Sequence, residues 1–313
     1  MKRDTWRTLS LAAMPDSART LESAPPPRGV LFASAVDPAD GWIRGRRVLP
    51  ARELADFVHH YWSVRWELRA PFFADTLPHP AGRIELEVHD GACRAQVVGV
   101  RTGRFAMRHT GVGHFFGVQF RAAALQPLLH TREPMAAITD RALPIARVLG
   151  EGADAWASAV RAAPTIEAQV ALTEAFLLTR LPSIPPEVAR MRDLMETIAA
   201  DRSLRCVEQV AALVGVDQRS LQRRFRRFVG VHPKWVIQRY RLLEAVAQLG
   251  AADRPSLAAL ATSLGYADQA HFQHDFKIVT GRTPGSFTRP EPVAVTNASG
   301  SAHSLASDSA KRP

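Results

Sequence analysis

The chain has 313 residues, 46% of them hydrophobic, enough for two domains with separate cores. Its 40 Lys and Arg against 30 Asp and Glu leave a formal charge of +10, which favours a phosphate-bearing partner held in a salt-sensitive way. No run of about 18 apolar residues is present, which excludes a membrane-spanning helix. The opening Met1-Lys-Arg-Asp-Thr-Trp6 leads into no apolar segment, so no signal peptide is expected.

In chain order, residues 1–28 read as a disordered tail closing on Pro25-Pro26-Pro27. Residues 29–181 read as a β-rich sensing or dimerisation domain with a helical extension. Ala51 to His59 is expected as a short helix packed on the sheet. Tyr61 to Leu68 alternates, with Trp62, Val64, Trp66 and Leu68 on one side and Tyr61, Ser63, Arg65 and Glu67 on the other, the pattern of a half-buried strand. Ile84–Val88, Ala95–Val100 and His114–Phe120 read as further strands, and helices are expected from Ala122 onward. Thr165 to Leu181 forms a long apolar helix. Its stripe of Ile166, Val170, Phe176 and Leu177 suits either the domain's own core or a second copy of the chain.

The histidines His59, His60, His79, His89, His109 and His114 raise the question of a metal, but no HxH or HExxH spacing accompanies them, so no metal ligand is assigned. There is no GxSxG elbow and no Walker loop, and Gly111-Val-Gly113 lacks the strand-turn-helix setting of a dinucleotide loop. No catalytic residue and no cofactor are therefore assigned. Trp62, Trp66, Phe72, Phe73, Phe115 and Phe116 either fill the core or enclose a small apolar effector. Cys93 and Cys206 lie in different predicted domains without a CxxC pattern, as expected in a reducing cytoplasm.

Pro182-Ser-Ile-Pro-Pro186 is a stiff linker. Residues 187–290 follow as an all-α domain, and 291–313 as a Ser/Ala-rich tail expected to be disordered. From Ile184 to Pro290 there are 16 Lys and Arg against 10 Asp and Glu, so a surplus of 6 of the +10 lies here.

This last domain contains a repeat. Val207–Val216, Asp217–Phe228 and Gly230–Pro233 match Leu257–Tyr266, Asp268–Val279 and Gly281–Pro284, with Ala267 as the single inserted residue. Each copy reads as helix, tight turn, helix. Val207, Val210, Ala211 and Val214 make an apolar face, and Gly215 and Gly265 stand where a left-handed residue ends the first helix. Leu221, Phe225 and Phe228, and in copy two Phe272, Phe276 and Val279, face inward. Ser256 is placed to cap its helix. Cys206, at the matching site, is the poorer cap, and its helix is expected to fray. Tyr266 and Trp235 read as packing residues. Pro233 to Leu249 reads as one helix of about 25 Å at ~1.5 Å per residue, a rod able to hold two recognition helices near one DNA turn apart. Two such units carry recognition helices suited to the major groove. Arg219, Gln222, Arg223 and Arg226 face outward there, with side chains suited to guanine, adenine and phosphate.

The double motif resembles the C-terminal DNA-binding domain of the AraC/XylS family of bacterial transcription regulators. The resemblance rests on Ala211, Gly215, Leu221, Arg223, Phe225, Gly230 and Pro233, and on Ala261, Gly265-Tyr266, Gln269, Phe272, Phe276-Lys277, Thr280-Gly281 and Pro284. It implies an α+β chain, a β-rich regulatory domain followed by two helix-turn-helix units joined by a linker helix, that binds double-stranded DNA as an activator or repressor. DNA-contacting positions are then Gln218, Arg219, Gln222, Arg223 and Arg226 in the first copy, and Gln269, Ala270, His271, Gln273, His274 and Lys277 in the second. The family often has Arg where this chain has His274, so the second helix is expected to read DNA differently or hold it more weakly. RNA polymerase, a small-molecule effector and a second copy are compatible further partners; a membrane is not. In the first half the resemblance lies in layout, with Leu77-Pro-His-Pro80 and Gly111-Val-Gly-His-Phe-Phe-Gly117 similar to a β-rich regulatory domain of uncharacterised ligand found in some members. The alternative is a DNA-targeted enzyme or repair protein that uses the helical module for docking. The context of Cys93, Gly91-Ala-Cys-Arg94, does not match the alkyl-transfer repair modules fused to some relatives.

Overall fold

The computed structural model describes residues 21–25, 29–129, 133–251 and 253–287, with the backbone of 294–295. The first half is built on one eight-stranded sheet, whose last strand comes from the C-terminal end of the chain. Its strands are β1 (Val30–Ala33), β2 (Gly41–Val48), β3 (Val58–Thr76), β4 (Arg83–His89), β5 (Ala92–Val98), β6 (Phe105–Phe120), β7 (Ala142–Pro144) and β8 (Ala294–Val295). They run in the order β7-β5-β4-β6-β3-β2-β8, with β1 also on β3. The long antiparallel pair of β3 and β6, from Val58 against Phe120 to Thr76 against Phe105, is the spine.

Cross-strand partners share a face. Tyr61, Phe116, Ile84, Leu86 and Val97 form one face, and they are covered by α1 (Ile145–Leu149), α2 (Ala153–Ala162) and α3 (Ile166–Leu178). Ile166, Val170, Phe176 and Leu177 are all buried in this core. The apolar stripe of α3 is spent within its own domain, which leaves that stripe unavailable to a second copy.

The opposite face is more polar. A row runs across it from Gln96 through Glu85, Gly117 and Trp62 to Arg47. Glu85 accepts from Arg83 Nε and from Gln96 Nε2, both at 2.6 Å. His60, beside this row, is buried, with Arg47 Nη2 2.8 Å from its Nε2 and His59 Nδ1 2.8 Å from its Nδ1. Burial first, then the charges of Arg47, His59 and His79, push the His60 imidazole down to about 2. Two glycines of the 111–117 motif have a packing role on this face. A Cβ at Gly113 would lie 2.2 Å from Trp66 Cζ2, and one at Gly117 would lie 2.3 Å from Trp62 Cη2, so both rings lie flat across β6 only because these positions lack side chains.

Several expectations need correction. Tyr61 and Ser63, read as the outer side of their strand, are buried, because helices cover that face as well. Ala51 to His59 is no helix: one 3-10 turn, Arg52–Leu54, leads into β3. Helices do not take over at Ala122. Two 3-10 turns, Gln126–Leu128 and Met135–Ala137, and the edge strand β7 come first. The six aromatic residues do not surround one cavity: Phe116 lies on the helix-covered face, Phe73 is exposed, and Trp66 and Phe72 are core. Parts of both predicted tails are ordered. Ser23 bridges to Val48, Ala24 N donates to Arg47 O at 3.0 Å, and Ala294–Val295 runs parallel to β2. Residues 1–20, 26–28, 291–293 and 296–313 lie outside the described residues.

The second half is helical: α4 (Pro186–Ala200), α5 (Val207–Leu213), α6 (Gln218–Phe228), α7 (Pro233–Leu249), α8 (Leu257–Ser263) and α9 (Gln269–Thr280). Its two cores both reach into the sheet. Val100 and Ala123 join the core of α4–α7, and Leu31 and Leu77 join that of α7–α9. No helix among the described residues is long and apolar enough to cross a membrane.

Candidate nucleic-acid interface

Each helix-turn-helix is built from the same parts. Val210 and Ala211 of α5 pack on Leu221, Phe225 and Phe228 of α6, as Leu260 and Ala261 of α8 pack on Phe272 and Phe276 of α9. Gly215 at φ +64° and Gly265 at φ +74° make the turns in the left-handed region, where a Cβ is costly. Asp217 and Asp268 cap the second helices. Ser256 Oγ accepts from Ala259 N at 3.2 Å. At Cys206 the capping box is built on sulfur, and Gln209 Oε1 returns the contact, accepting from the backbone N of Cys206 at 3.1 Å and of Arg205 at 2.7 Å.

With its apolar residues turned inward, α6 exposes Arg219, Gln222, Arg223, Arg224, Arg226 and Arg227. Among the described residues none of these arginines forms an ion pair, and α6 contains no acidic residue. Arg223 Nη2 touches only Ser220 Oγ, at 3.4 Å. Arg219, Gln222, Arg223, Arg226 and Arg227 line a cleft of about 570 Å³ whose far wall is Pro134 of the β-rich half. Five of the predicted positions thus divide. Arg219, Gln222, Arg223 and Arg226 lie together on the open face, while Gln218 is turned toward α5, donating to Glu208 Oε1 at 3.0 Å. Arg227, not among the predicted positions, joins the face. It belongs to the same arginine run, but its place two residues beyond Phe225 concealed its direction.

The second helix is different. Gln269, Ala270, His271, His274 and Lys277 are exposed and Gln273 half-buried. Lys277 is the only Lys or Arg of α9, and Asp275 cancels it. His271 packs edge-on against Tyr266 at 5.2 Å and lies 3.9 Å from Asp275. Tyr266 and Trp235 are packing residues, with Arg241 over the Tyr266 ring and Arg239 over Trp235. Cys93 and Cys206 are free and exposed. Among the described residues no group of three or more His, Cys, Asp or Glu is placed to hold a metal.

Residues 210–290 match a family model described as a helix-turn-helix domain, of the AraC type. Residues 210–290 are a helix-turn-helix domain of the AraC type. Domains of this type bind DNA and regulate transcription. Residues 46–144 match a second model, a domain of unknown function (DUF6597). No curated protein matches the chain. Similar solved structures include a probable AraC family transcriptional regulator from Rhodopseudomonas palustris, 29% identical over 30% of this chain and 88% of that one, TM-score 0.27. The C-terminal domain of AraT, a response regulator from Geobacillus stearothermophilus, is 21% identical over 39% and 97%, TM-score 0.31. ToxT from Vibrio cholerae is 9% identical over 79% and 97%, TM-score 0.38. The AraC-type assignment rests on residues 210–290.

Proposed function

We propose that the chain is a sequence-specific transcription regulator that seats α6 and α9 in successive major-groove segments of double-stranded DNA. The observation that carries this reading is the open face of α6. It presents arginines without carboxylate partners around Gln222, on a helix whose other side is locked into a core. Arg and Gln at such a face give bidentate contacts to guanine and adenine, and the surrounding guanidiniums neutralise phosphates. The rod of α7, 17 residues and therefore about 25 Å, separates two reading helices on the scale of one helical turn.

The two helices share the work unequally in this reading. α6 supplies most of the charge and the sequence choice. α9, with Lys277, Gln269 and His274, holds the backbone and adds a weaker preference. The β-rich domain, residues 29–181, joined through 182–186, governs the geometry of the helical domain, 187–290, and is where a small-molecule effector acts. The chain has no reaction of its own and works in the cytoplasm.

Binding of the full chain to a mixed-sequence duplex across a salt titration, with Arg223→Ala alongside, tests the reading. Affinity falls steeply with salt for the wild type, and Arg223→Ala loses discrimination between sequences. If Arg223→Ala weakens all duplexes equally, α6 holds phosphate only and sequence-specific reading by this helix is wrong.

A further inference from the structure

The β-rich half grips the helical half at its two mechanically important places. The first is the joint between α6 and α7. This joint is four residues long and contains Gly230 at φ +102°, a conformation that residues with a Cβ rarely adopt. Val229 and Val231 anchor it in the core of α4–α7. From outside, Thr139 Oγ1 donates to Gly230 O at 2.8 Å, and the chains are so close that a Cβ on Gly230 would lie 2.7 Å from Thr139 Oγ1 and 3.0 Å from Met135 O. The joint between α7 and α8 is pinned from within its own domain, where Arg254 donates to Phe287 O at 2.9 Å and Pro284 O at 2.6 Å.

The second place is the middle of α7. Arg239 is 2% exposed and makes no ion pair among the described residues. Its guanidinium donates to Pro78 O, at 3.4 Å, and to Thr102 O. Pro78 belongs to the Leu77-Pro-His-Pro80 motif between β3 and β4, and Thr102 lies between β5 and β6. One side chain thus ties the rod to two turns of the sheet. On the next turn of α7, Leu242 and Leu243 share a core with Leu31 and Leu77.

Asp140 joins the two places. Its carboxylate accepts from Thr102 N at 2.7 Å and Thr102 Oγ1 at 2.6 Å, holding the turn whose carbonyl receives Arg239. Its neighbour Thr139 holds Gly230. Five residues earlier Pro134 walls the cleft in front of the reading face. Between them Met135 and Ile138 are core residues of the sheet domain, so segment 133–140 is fixed to that domain and not to the helices it touches.

We propose that segment 133–140, through Thr139 and Asp140, is a brace by which the β-rich domain sets the angle between α6 and α7, and hence the distance between the two DNA-reading helices. Thr139, Asp140 and Arg239 are positioning residues. None touches the reading face, and each acts on where α6 and α9 stand relative to one another. The inference rests on the DNA-reading function proposed above, and it adds how the sheet domain bears on that function.

The experiment uses the full chain and duplexes built from the sequence blocks that the wild type enriches from random DNA, with the spacer between blocks lengthened or shortened by one to three base pairs. The variants are Thr139→Val and Asp140→Asn, both near-isosteric; Asn also tolerates the left-handed backbone at Asp140, φ +56°. Thr139→Ser restores the hydroxyl. The wild type prefers one spacer. In Thr139→Val and Asp140→Asn that preference over the neighbouring spacers drops by about fivefold, as expected for one lost hydrogen bond, while affinity for a single block stays within about twofold. Thr139→Ser behaves as wild type. Variants that melt like the wild type and keep its full spacer preference overturn the brace. A wild type that enriches a single block also overturns it, since one reading helix needs no spacing. A wild type that enriches nothing overturns the DNA-reading function, and the brace with it.

Discussion

Asp217 and Asp268 do the same job in the two halves of the repeat. The Oδ1 of Asp217 accepts from Ser220 N at 2.9 Å, and that of Asp268 from His271 N at 2.7 Å, each closing the first turn of a reading helix. The hydrogen bonds from Ser220 hold the Asp217 carboxyl below the usual carboxylate range. A carboxyl depressed in the folded state stabilises the fold above its unfolded value and loses that contribution as pH falls through the folded one. Asp217→Ala and Asp268→Ala are each expected to lower the melting temperature at neutral pH, and Asp217→Ala to shed part of the acid sensitivity below about pH 4. Melting curves at pH 7 and pH 3 check this.

At the first helix of copy one the capping box rests on a sulfur. Gln209 supplies the return bond, but Cys206 is a poor acceptor at a site where Ser stands in copy two. Cys206→Ser should stabilise the chain by about 0.5–1 kcal/mol, read from a denaturant midpoint, without changing DNA affinity. No gain would mean that Gln209 already satisfies this helix end.

Gly113→Ala and Gly117→Ala place a methyl group against the Trp66 and Trp62 rings. Overpacking of this kind typically costs about 1–3 kcal/mol. Thermal melts should show the loss, and a smaller residue under the ring, as in the double change Gly117→Ala with Trp62→Leu, should recover part of it.

His109 is buried between Trp66, with ring centroids 4.2 Å apart, and Phe72, at 6.2 Å. Burial first, then the charge of His89, lowers its pKa to about 4. The neutral ring is therefore the folded form, and the unfolded chain takes up the proton first. Stability is full above about pH 6.5 and declines as pH falls toward 4, by at most about 1.4 kcal/mol per pH unit for one proton. His109→Phe should make that decline shallower. An unchanged slope between pH 4 and 6.5 would assign the acid sensitivity to other groups, His60 first.

The helical half was legible because its information is local. Gly215 and Gly265, the 3.6-residue spacing of Leu221, Phe225 and Phe228, and the repeat itself each fix a turn or a buried face within a few residues. The open face of α6 followed by subtraction. The amide of Gln218 reaches back across the turn to Glu208, a contact periodicity does not encode. In the sheet, alternation placed the strands but misjudged their faces: Tyr61 and Ser63 look outward until α2 and α3 fold over them. The ties of Thr139 to Gly230 and Arg239 to Pro78 span 91 and 161 residues, and no local pattern announces them. The Leu77-Pro-His-Pro80 motif was visible, but its role was not, because its carbonyl rather than its side chains makes the contact.

The central claim, that two unequal helices read one DNA site, is tested most directly by selecting full-length protein against random duplex DNA at fixed, near-physiological salt. The account predicts two enriched blocks about one helical turn, roughly 10 base pairs, apart, the sharper one lost in Arg223→Ala. Binding that enriches no sequence and disappears as salt rises would contradict it.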